Sequence, residues 1–334
     1  MNPTIKDVAQ KANVSIATVS RVLNNLSGYS DKTKQKVNEA IKEIGYQPNA
    51  IARGLINKRT QTIGVMFPSV SGAFSSDLLK GIEELANDRN YSVMVCNTDQ
   101  DGKRTLKYLQ LLREKQVDGI IFSSEVLKKE YYDVLETMRI PVVLVSSQTE
   151  FAKVPYVKVD DYRAAFDAIL YLISKGHRKI AMISGNPSDL IAGAPRAEGY
   201  KHALEANGIP FDSRYLAYGD FLYESGSIAM ETLLEQAPDV TAVFAASDEM
   251  AIGALSTVIK NGLSVPEDIS IMGYDDLGLA KMVIPPLTTV RQPLYDIGKI
   301  AVEKLIQMIE TGESVNSQIV DHTIVERQTV RSLT

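Results

Sequence analysis

The chain has 334 residues, 45% of them apolar, with one cysteine, no tryptophan and a net charge of −5. A lone cysteine, Cys96, forms no intrachain disulfide and reads as a small core residue inside an apolar strand. No apolar run approaches membrane-spanning length, so a disulfide scaffold and a transmembrane protein are both excluded.

Met1-Asn2-Pro3 leads straight into a first helical pattern with no apolar signal segment, which sets the expectation of a cytoplasmic protein. Two short helical patterns follow, flanking a tight connection at Ala12-Asn13-Val14. Each starts on a hydroxyl residue able to cap it: Thr4, with Asp7 three residues on, and Ser15. Ile5, Val8 and Ala9 recur at helical spacing, as do Val19, Val22 and Leu23, giving each helix one stripe to bury. The face left over on the second helix carries Ile16, Ala17, Thr18, Ser20 and Arg21. Small, hydroxylated and basic side chains on the first turns let a helix lie in a DNA major groove without steric or charge conflict. A third helix begins near Ser30, places Val37, Ala40, Ile41 and Ile44 on one face, and stops at Gly45. The head closes at Tyr46-Gln47-Pro48.

Charge agrees with this assignment. Residues 1–60 hold ten Lys and Arg against four Asp and Glu, a balance of +6, which leaves −11 on the remainder. The whole-chain charge taken alone argues against nucleic acid, but the asymmetry places a basic head on an acidic body. Lys32, Lys34 and Lys36 alone would be a solvated surface; it is the capped helix pair with Arg21 that points to DNA. Arg21 can reach guanine O6 and N7, while Ile16 and Ala17 select by apolar contact with thymine methyls or by fit. Thr18, Ser20, Asn24, Asn25 and Tyr46 suit phosphates, which fix register.

The segment Asn49-Ala50-Ile51-Ala52-Arg53-Gly54-Leu55-Ile56 is too short for a stable free helix. It is either a simple linker or a hinge that turns helical on DNA, with Leu55 as a minor-groove wedge. Thr4, Ser15, Asn49, Ala52 and Arg53 complete the expected DNA-facing set.

The body opens with the apolar strand Thr62-Ile63-Gly64-Val65-Met66-Phe67. Further strand candidates are 92–96, 119–122, 142–145, 157–159, 180–183, 242–245 and 269–272. Amphipathic stretches lie between them, such as 78–89, 105–113, 163–174 and 250–260. Near-continuous apolar strands alternating with helices indicate parallel sheets covered on both faces. The pattern runs twice, over about 62–160 and 178–290, which makes an α/β body of two lobes with a cleft between them. The stretch 293–327, a helix and then strands, is expected to return across the crossing between lobes.

Several blocks then carry a family resemblance in order and spacing. They include Ile5-Lys6-Asp7-Val8-Ala9, Val14-Ser15-Ile16-Ala17-Thr18-Val19-Ser20-Arg21-Val22-Leu23-Asn24 and Gly45-Tyr46-Gln47-Pro48-Asn49-Ala50-Ile51-Ala52-Arg53-Gly54-Leu55. Others are Val117-Asp118-Gly119-Ile120-Ile121, Ser247-Asp248-Glu249-Met250-Ala251-Ile252-Gly253, the run from Val265 to Asp276, and that from Pro286 to Pro293. On these the chain resembles, over essentially its whole length, the lactose-repressor/galactose-repressor (LacI/GalR) family of bacterial transcription regulators. The resemblance implies a helix-turn-helix domain at 1–48 and a hinge helix and linker at 49–61. A periplasmic-binding-protein-like body follows, with one lobe at 62–160 and 293–320 and the other at 161–292 and 321–330. It also implies a homodimer on a pseudo-palindromic operator, often kinked at a central CG step by the hinge leucine, and a small effector in the cleft.

Ligands of open parallel sheets bind outside the carboxyl ends of strands. That rule selects Ser71, Ser123, Ser124, Ser146, Ser147, Asp248 and Asp275. The resemblance adds Asp160, Arg196 and Phe221, and in the first loop, Ser71-Gly72-Ala73-Phe74-Ser75-Ser76, only Phe74 carries over. Carboxylates, an arginine and an aromatic face suit a sugar. Arg196 has the alternative of a surface ion pair, and Asp248 that of a helix N-cap. The apolar stretch 188–195 lacks the basic residue of the purine-responsive branch, which favours a neutral saccharide, with a sugar phosphate as the neighbouring class.

Against an enzyme, no nucleophile elbow or phosphate loop is present, and the three histidines, His177, His202 and His322, are widely separated. His177 lies in a Lys-Gly-His-Arg-Lys turn and reads as exposed. No cofactor, no metal site and no membrane partner is expected. A secreted sugar-binding protein would need an export signal and would lack the head. Within the family, Tyr295-Asp296-Ile297-Gly298 resembles a branch driven by a phosphorylated carrier protein, which stands as the alternative control signal. The end at Thr334 without a heptad tail makes a dimer the default expectation.

Overall fold

A computed structural model describes residues 3–23, 26–46, 59–99, 103–149 and 153–333. It divides into a head, Met1–Gln61, and a body, Thr62–Thr334. The head has three helices, α1 (Ile5–Ala12), α2 (Ile16–Leu23) and α3 (Asp31–Ile44). Val8, Ala9, Ala12, Val19, Val22, Val37 and Ala40 bury against one another at their centre, which is where the helical stripes of the sequence meet. Ser30 caps α3, accepting from Thr33 N, and Gly45 ends it in the left-handed region at φ 66°.

The first lobe of the body contains β1 (Thr62–Phe67), α4 (Ala73–Asp88), β2 (Ser92–Asn97), α5 (Thr105–Glu114), β3 (Gly119–Ser123), α6 (Lys129–Met138), β4 (Val142–Val145) and β5 (Tyr156–Val159). The second contains α7 (Asp161–Ser174), β6 (Ile180–Ser184), α8 (Gly193–Ala206), β7 (Leu216–Tyr218), α9 (Tyr223–Gln236), β8 (Ala242–Ala245), α10 (Asp248–Lys260), β9 (Ser270–Asp275), α11 (Gly278–Met282) and β10 (Thr288–Arg291). The chain then returns: α12 (Leu294–Thr311) and β11 (Gln318–Val320) join the first lobe, and β12 (Thr323–Val325) joins the second.

Strand order is β11-β5-β4-β3-β1-β2 in one sheet and β12-β10-β9-β8-β6-β7 in the other. The described pairings are parallel except β10 with β12, which run antiparallel. Alternation along the strands divides the first lobe into two cores. Ile63, Val65, Phe67, Ile121 and Val143 face α4 and α12. Met66, Ile120, Phe122 and Leu144 face α5 and α6, where Leu109, Leu112 and Tyr131 meet them. A strand buried on both faces favours apolar residues throughout, hence the nearly continuous apolar runs.

Each sheet reverses its winding beside its first strand, between β1 and β3 and between β6 and β8, and it is outside the carboxyl ends at such a point that open parallel sheets bind ligands. The chain passes between lobes three times, after Val159, between Arg291 and Leu294, and between Val320 and Thr323.

One expectation is corrected. His177 is not an exposed turn residue but is fully buried, its ring bonded to Thr241 Oγ1 (3.0 Å) and the Arg331 carbonyl (3.2 Å). The turn sits beneath the returning C-terminal segment, and burial lowers the imidazole's pKa, keeping it neutral. Cys96 is buried and its thiol is pushed up to about 11 by burial. Among the described residues no helix is long and apolar enough to cross a membrane.

Candidate functional site

In the head, Thr4 N and Oγ1 donate to Asp7 Oδ2 at 2.7 and 2.8 Å, and these bonds hold the Asp7 carboxyl below its ordinary range. Asn13, left-handed at φ 53°, turns the chain between α1 and α2. Ser15 Oγ accepts from Thr18 N (3.1 Å) and lies 2.9 Å from Thr18 Oγ1, so both hydroxyls help to start α2. Val19 and Val22 point into the head, while Ile16, Ala17 and Arg21 are exposed and Thr18 and Ser20 half-buried. Arg21 reaches back over Gly28, whose absent Cβ would lie 3.1 Å from Nη1. Tyr46 packs half-buried against the head core. Asn24, Asn25, Asn49, Ala52, Arg53 and Leu55 lie outside the described residues.

In the body, the second lobe gathers the charged groups. Phe221, left-handed at φ 71°, lies over Gly185 just past β6, so close that a Cβ there would sit 2.2 Å from the ring. Any larger residue there would push the ring aside. Arg196 projects from α8 to the same switch point and is 5% exposed. Its Nη1 donates to the Ala246 carbonyl (2.6 Å), its Nε (3.0 Å) and Nη2 (2.7 Å) to Asp161 Oδ1. The guanidinium stacks 3.6 Å from the Tyr274 ring centroid and 5.9 Å from that of Phe221. Burial works against its charge, but Tyr274, Asp161 and Asp275 more than offset that, and it stays protonated. These bonds use one hydrogen on each terminal nitrogen.

Asp275 ends β9 beside this cluster and accepts from Gln292 Nε2 at 2.7 Å. Burial pushes its carboxyl up to about 7, with Arg196 and Gln292 opposing. Asp248 is fully buried, and its oxygens accept from Leu277 N (2.7 Å) and Thr289 Oγ1 (2.5 Å). Burial, then the neighbouring Asp275, raises its pKa well above the ordinary carboxylate value. Glu249 is half-buried, raised by burial and by Glu224 and Asp220. Its Oε1 comes within 4.0 Å of where a Gly72 Cβ would stand, so the lobes approach each other at this point.

On the first lobe, Ser71 pairs with Ser69 (3.1 Å) and Phe74 lies half-buried in the first turn of α4. Ser124, left-handed at φ 56°, pairs with Ser123 at 3.0 Å. Ser147 is fully buried and donates inward to the Glu125 carbonyl at 2.6 Å. Asp160 caps α7, accepting from Arg163 N at 3.0 Å. Ser146 Oγ and Thr149 Oγ1, just past β4, are buried without a hydrogen-bond partner.

Two comparisons decide the family. Residues 4–49 match the model of bacterial regulatory proteins of the lacI family. Residues 60–328 match that of periplasmic binding proteins and the sugar binding domain of the LacI family. The chain belongs to the LacI family. It is a DNA-binding transcription regulator. Catabolite control protein A of Priestia megaterium is 43% identical over 333 residues, covering 99% of this chain and 100% of that protein. The lac repressor dimer bound to operator and the anti-inducer ONPF superposes with a TM-score of 0.88 at 29% identity, covering 99% of this chain and 100% of that one. The complex of the transcriptional regulator CelR with cellobiose gives 0.76 at 32% identity, covering 98% and 100%.

For this LacI-family regulator, the structure brings Arg196, Phe221 and Asp275 together, with Asp248 behind them. Two alternatives from the sequence are corrected. Arg196 is no surface ion pair, because its partner Asp161 is as buried as it is. Asp248 is not the cap of α10: Ser247 is, accepting from Met250 N at 3.1 Å while donating to the Phe221 carbonyl. Asp248 and Ser147, expected to face the effector, are both buried and bonded within their own lobes, where they brace loops. Sequence reasoning misses Asp161, Tyr274, Lys158 and Gln292. The signal for Asp161 is the pair of aspartates after β5, of which the resemblance selects only Asp160. Tyr274, inside an apolar strand, gives no signal.

Proposed function

We propose that this regulator is a repressor acting as a homodimer on a pseudo-palindromic operator in the cytoplasm, with a neutral saccharide as effector in the cleft between the lobes of its body. The observation that carries the effector reading is the aromatic and arginine pair at the second switch point, Phe221 and Arg196, with Asp275 beside them. An aromatic face takes the CH side of a sugar ring, and the arginine and carboxyl take its hydroxyls. The unpartnered hydroxyls of Ser146 and Thr149 supply further bonding capacity on the facing lobe. The CelR–cellobiose complex, similar over nearly the whole chain, is consistent with this class.

Operator reading falls to Arg21 with Ile16 and Ala17, and bending to Leu55 within the 49–61 hinge. Arg21→Ala is predicted to cost about 1–3 kcal/mol on the operator and to relax choice at one base pair. Equal weakening on all sequences, read by competition binding at fixed salt, would make Arg21 a phosphate contact only. The effector is tested by following operator affinity during titration with a panel of neutral mono- and disaccharides.

A second reading is a catabolite-control regulator governed by a phosphorylated carrier protein docking on α4 and α12. It is favoured by the 43% identity to catabolite control protein A and by an exposed cluster there, in which Glu84 pairs with Lys299 at 3.7 Å beside Tyr295. No response to any sugar, with tightening when the carrier is added, would replace the saccharide reading with this one.

A further inference from the structure

Asp161 opens α7 immediately after the chain first passes from one lobe to the other. Its side chain is buried, and its two oxygens serve groups from different lobes. Oδ1 accepts from Arg196 Nε and Nη2 on α8, and from the Tyr274 hydroxyl on β9 at 3.3 Å. Oδ2 faces Lys158 Nζ at 3.3 Å. Lys158 stands on β5, in the sheet of the first lobe, is 6% exposed, and donates also to Gln148 at a long 3.5 Å. Two buried cations, one from each lobe, therefore share one buried carboxylate. Such a carboxylate is costly to remove, because it leaves both charges unpaired away from water. It also ties the lobes: meeting Lys158 and Arg196 together links Asp161 to the first sheet and to α8 at once.

We propose that Asp161 is the positioning residue that sets the angle between the two lobes, acting through Lys158 and Arg196 and not by touching a ligand. The second crossing is tied to the same cluster, since Gln292 donates to Asp275, which lies beside Arg196. A ligand that draws Arg196 toward itself competes with Asp161 and is felt at two crossings at once. That regulatory consequence rests on the proposed cleft effector; the pin itself does not.

The test measures the angle directly. In the full-length regulator, Glu136→Cys on α6 and Glu205→Cys on α8 place spin labels on exposed helix faces of the two lobes. Cys96 is buried with its thiol pushed up to about 11, so it stays unlabelled. Dimers carrying one labelled and one unlabelled protomer then report a distance distribution by pulsed electron resonance, without ligand. The unaltered background gives one narrow distribution, and Asp161→Asn gives a broad or two-peaked one. Lys158→Met, which leaves the Arg196–Asp161 pair in place, broadens it as well and decides the matter if Asp161→Asn does not fold. A narrow, unshifted distribution in the folded variants overturns the proposal, even if their melting temperature falls, because Asp161 then only stabilises. If no sugar changes operator affinity but the variants broaden the distribution, the cleft effector fails and the pin stands.

Discussion

Asp275 shows how a single buried carboxyl couples the cleft to solution conditions. Its folded-state pKa of about 7 stands above the ordinary 3.8. Between those values the folded body holds a proton that the unfolded chain has lost. Its contribution to stability is therefore full below about pH 4 and falls as the pH rises through 7. An amide mimics the protonated acid, so Asp275→Asn should flatten that fall. Urea midpoints at pH 5 and pH 8 should separate more for the unaltered protein than for the variant, and equal separations would show that Asp275 is ionised throughout. At this scale the sequence is readable where side-chain chemistry stands alone, as at Arg21, or where a strand end marks a loop, as at Asp275. It is unreadable where a role is made by partners distant in the chain. Asp161 gains its meaning from Arg196 thirty-five residues on and from Tyr274 still further away. Nothing local distinguishes it from Asp160, which caps the same helix.

Elements are legible in proportion to how one-sided their burial is. Strands β4 and β8 match their predicted bounds, because both faces are covered and the apolar run ends where the cover ends. Helix α3 is delimited by its own caps, Ser30 and Gly45. Helices α8 and α9 escape a reading by pattern for a physical reason. The first buries Gly193, Arg196, Ala197 and Gly199 along with Tyr200 and Leu204, and the second buries Gly226 and Ala229 along with Met230 and Leu233, so small residues and a charged one interrupt the inward face. Small residues bring backbones together and break up the apolar stripe. The same device joins α4 to α12: a Cβ on Gly298 would stand 2.4 Å from the Leu78 carbonyl, and one on Gly81 would overlap the Tyr295 carbonyl at 2.0 Å. This contact binds the returning helix to the first lobe, and so anchors the second crossing that Gln292 ties to Asp275. Close packing thus favours each lobe moving as one body about the crossings.

At the scale of the whole molecule, the body leaves a set of large apolar side chains in water on one part of the second lobe. Ile228 on α9 is 65% exposed, Ile259 on α10 51%, Met282 on α11 79%, and Ile284 in the following turn 84%. Helices α9 and α10 pack side by side and α11 rests against α10, so these residues lie on neighbouring elements. Isolated apolar residues on a surface need no explanation, but several large ones on adjoining helices are what an interface requires, and we predict that two subunits meet here. In a homodimer with two-fold symmetry the same patch serves both subunits, and a residue near the axis meets its own copy. Ile284→Glu would then place like charges against each other while disturbing no core, since the side chain is already exposed. The variant is predicted to sediment as a monomer at micromolar concentration with an unchanged thermal unfolding profile of each lobe. Operator binding should fall with it, because a palindromic site is gripped by two heads whose spacing the dimer sets. A variant that stays dimeric at the same concentration and holds the operator as tightly would place the subunit interface elsewhere. Loss of operator affinity without loss of the dimer would instead show that this patch acts on the DNA-reading heads.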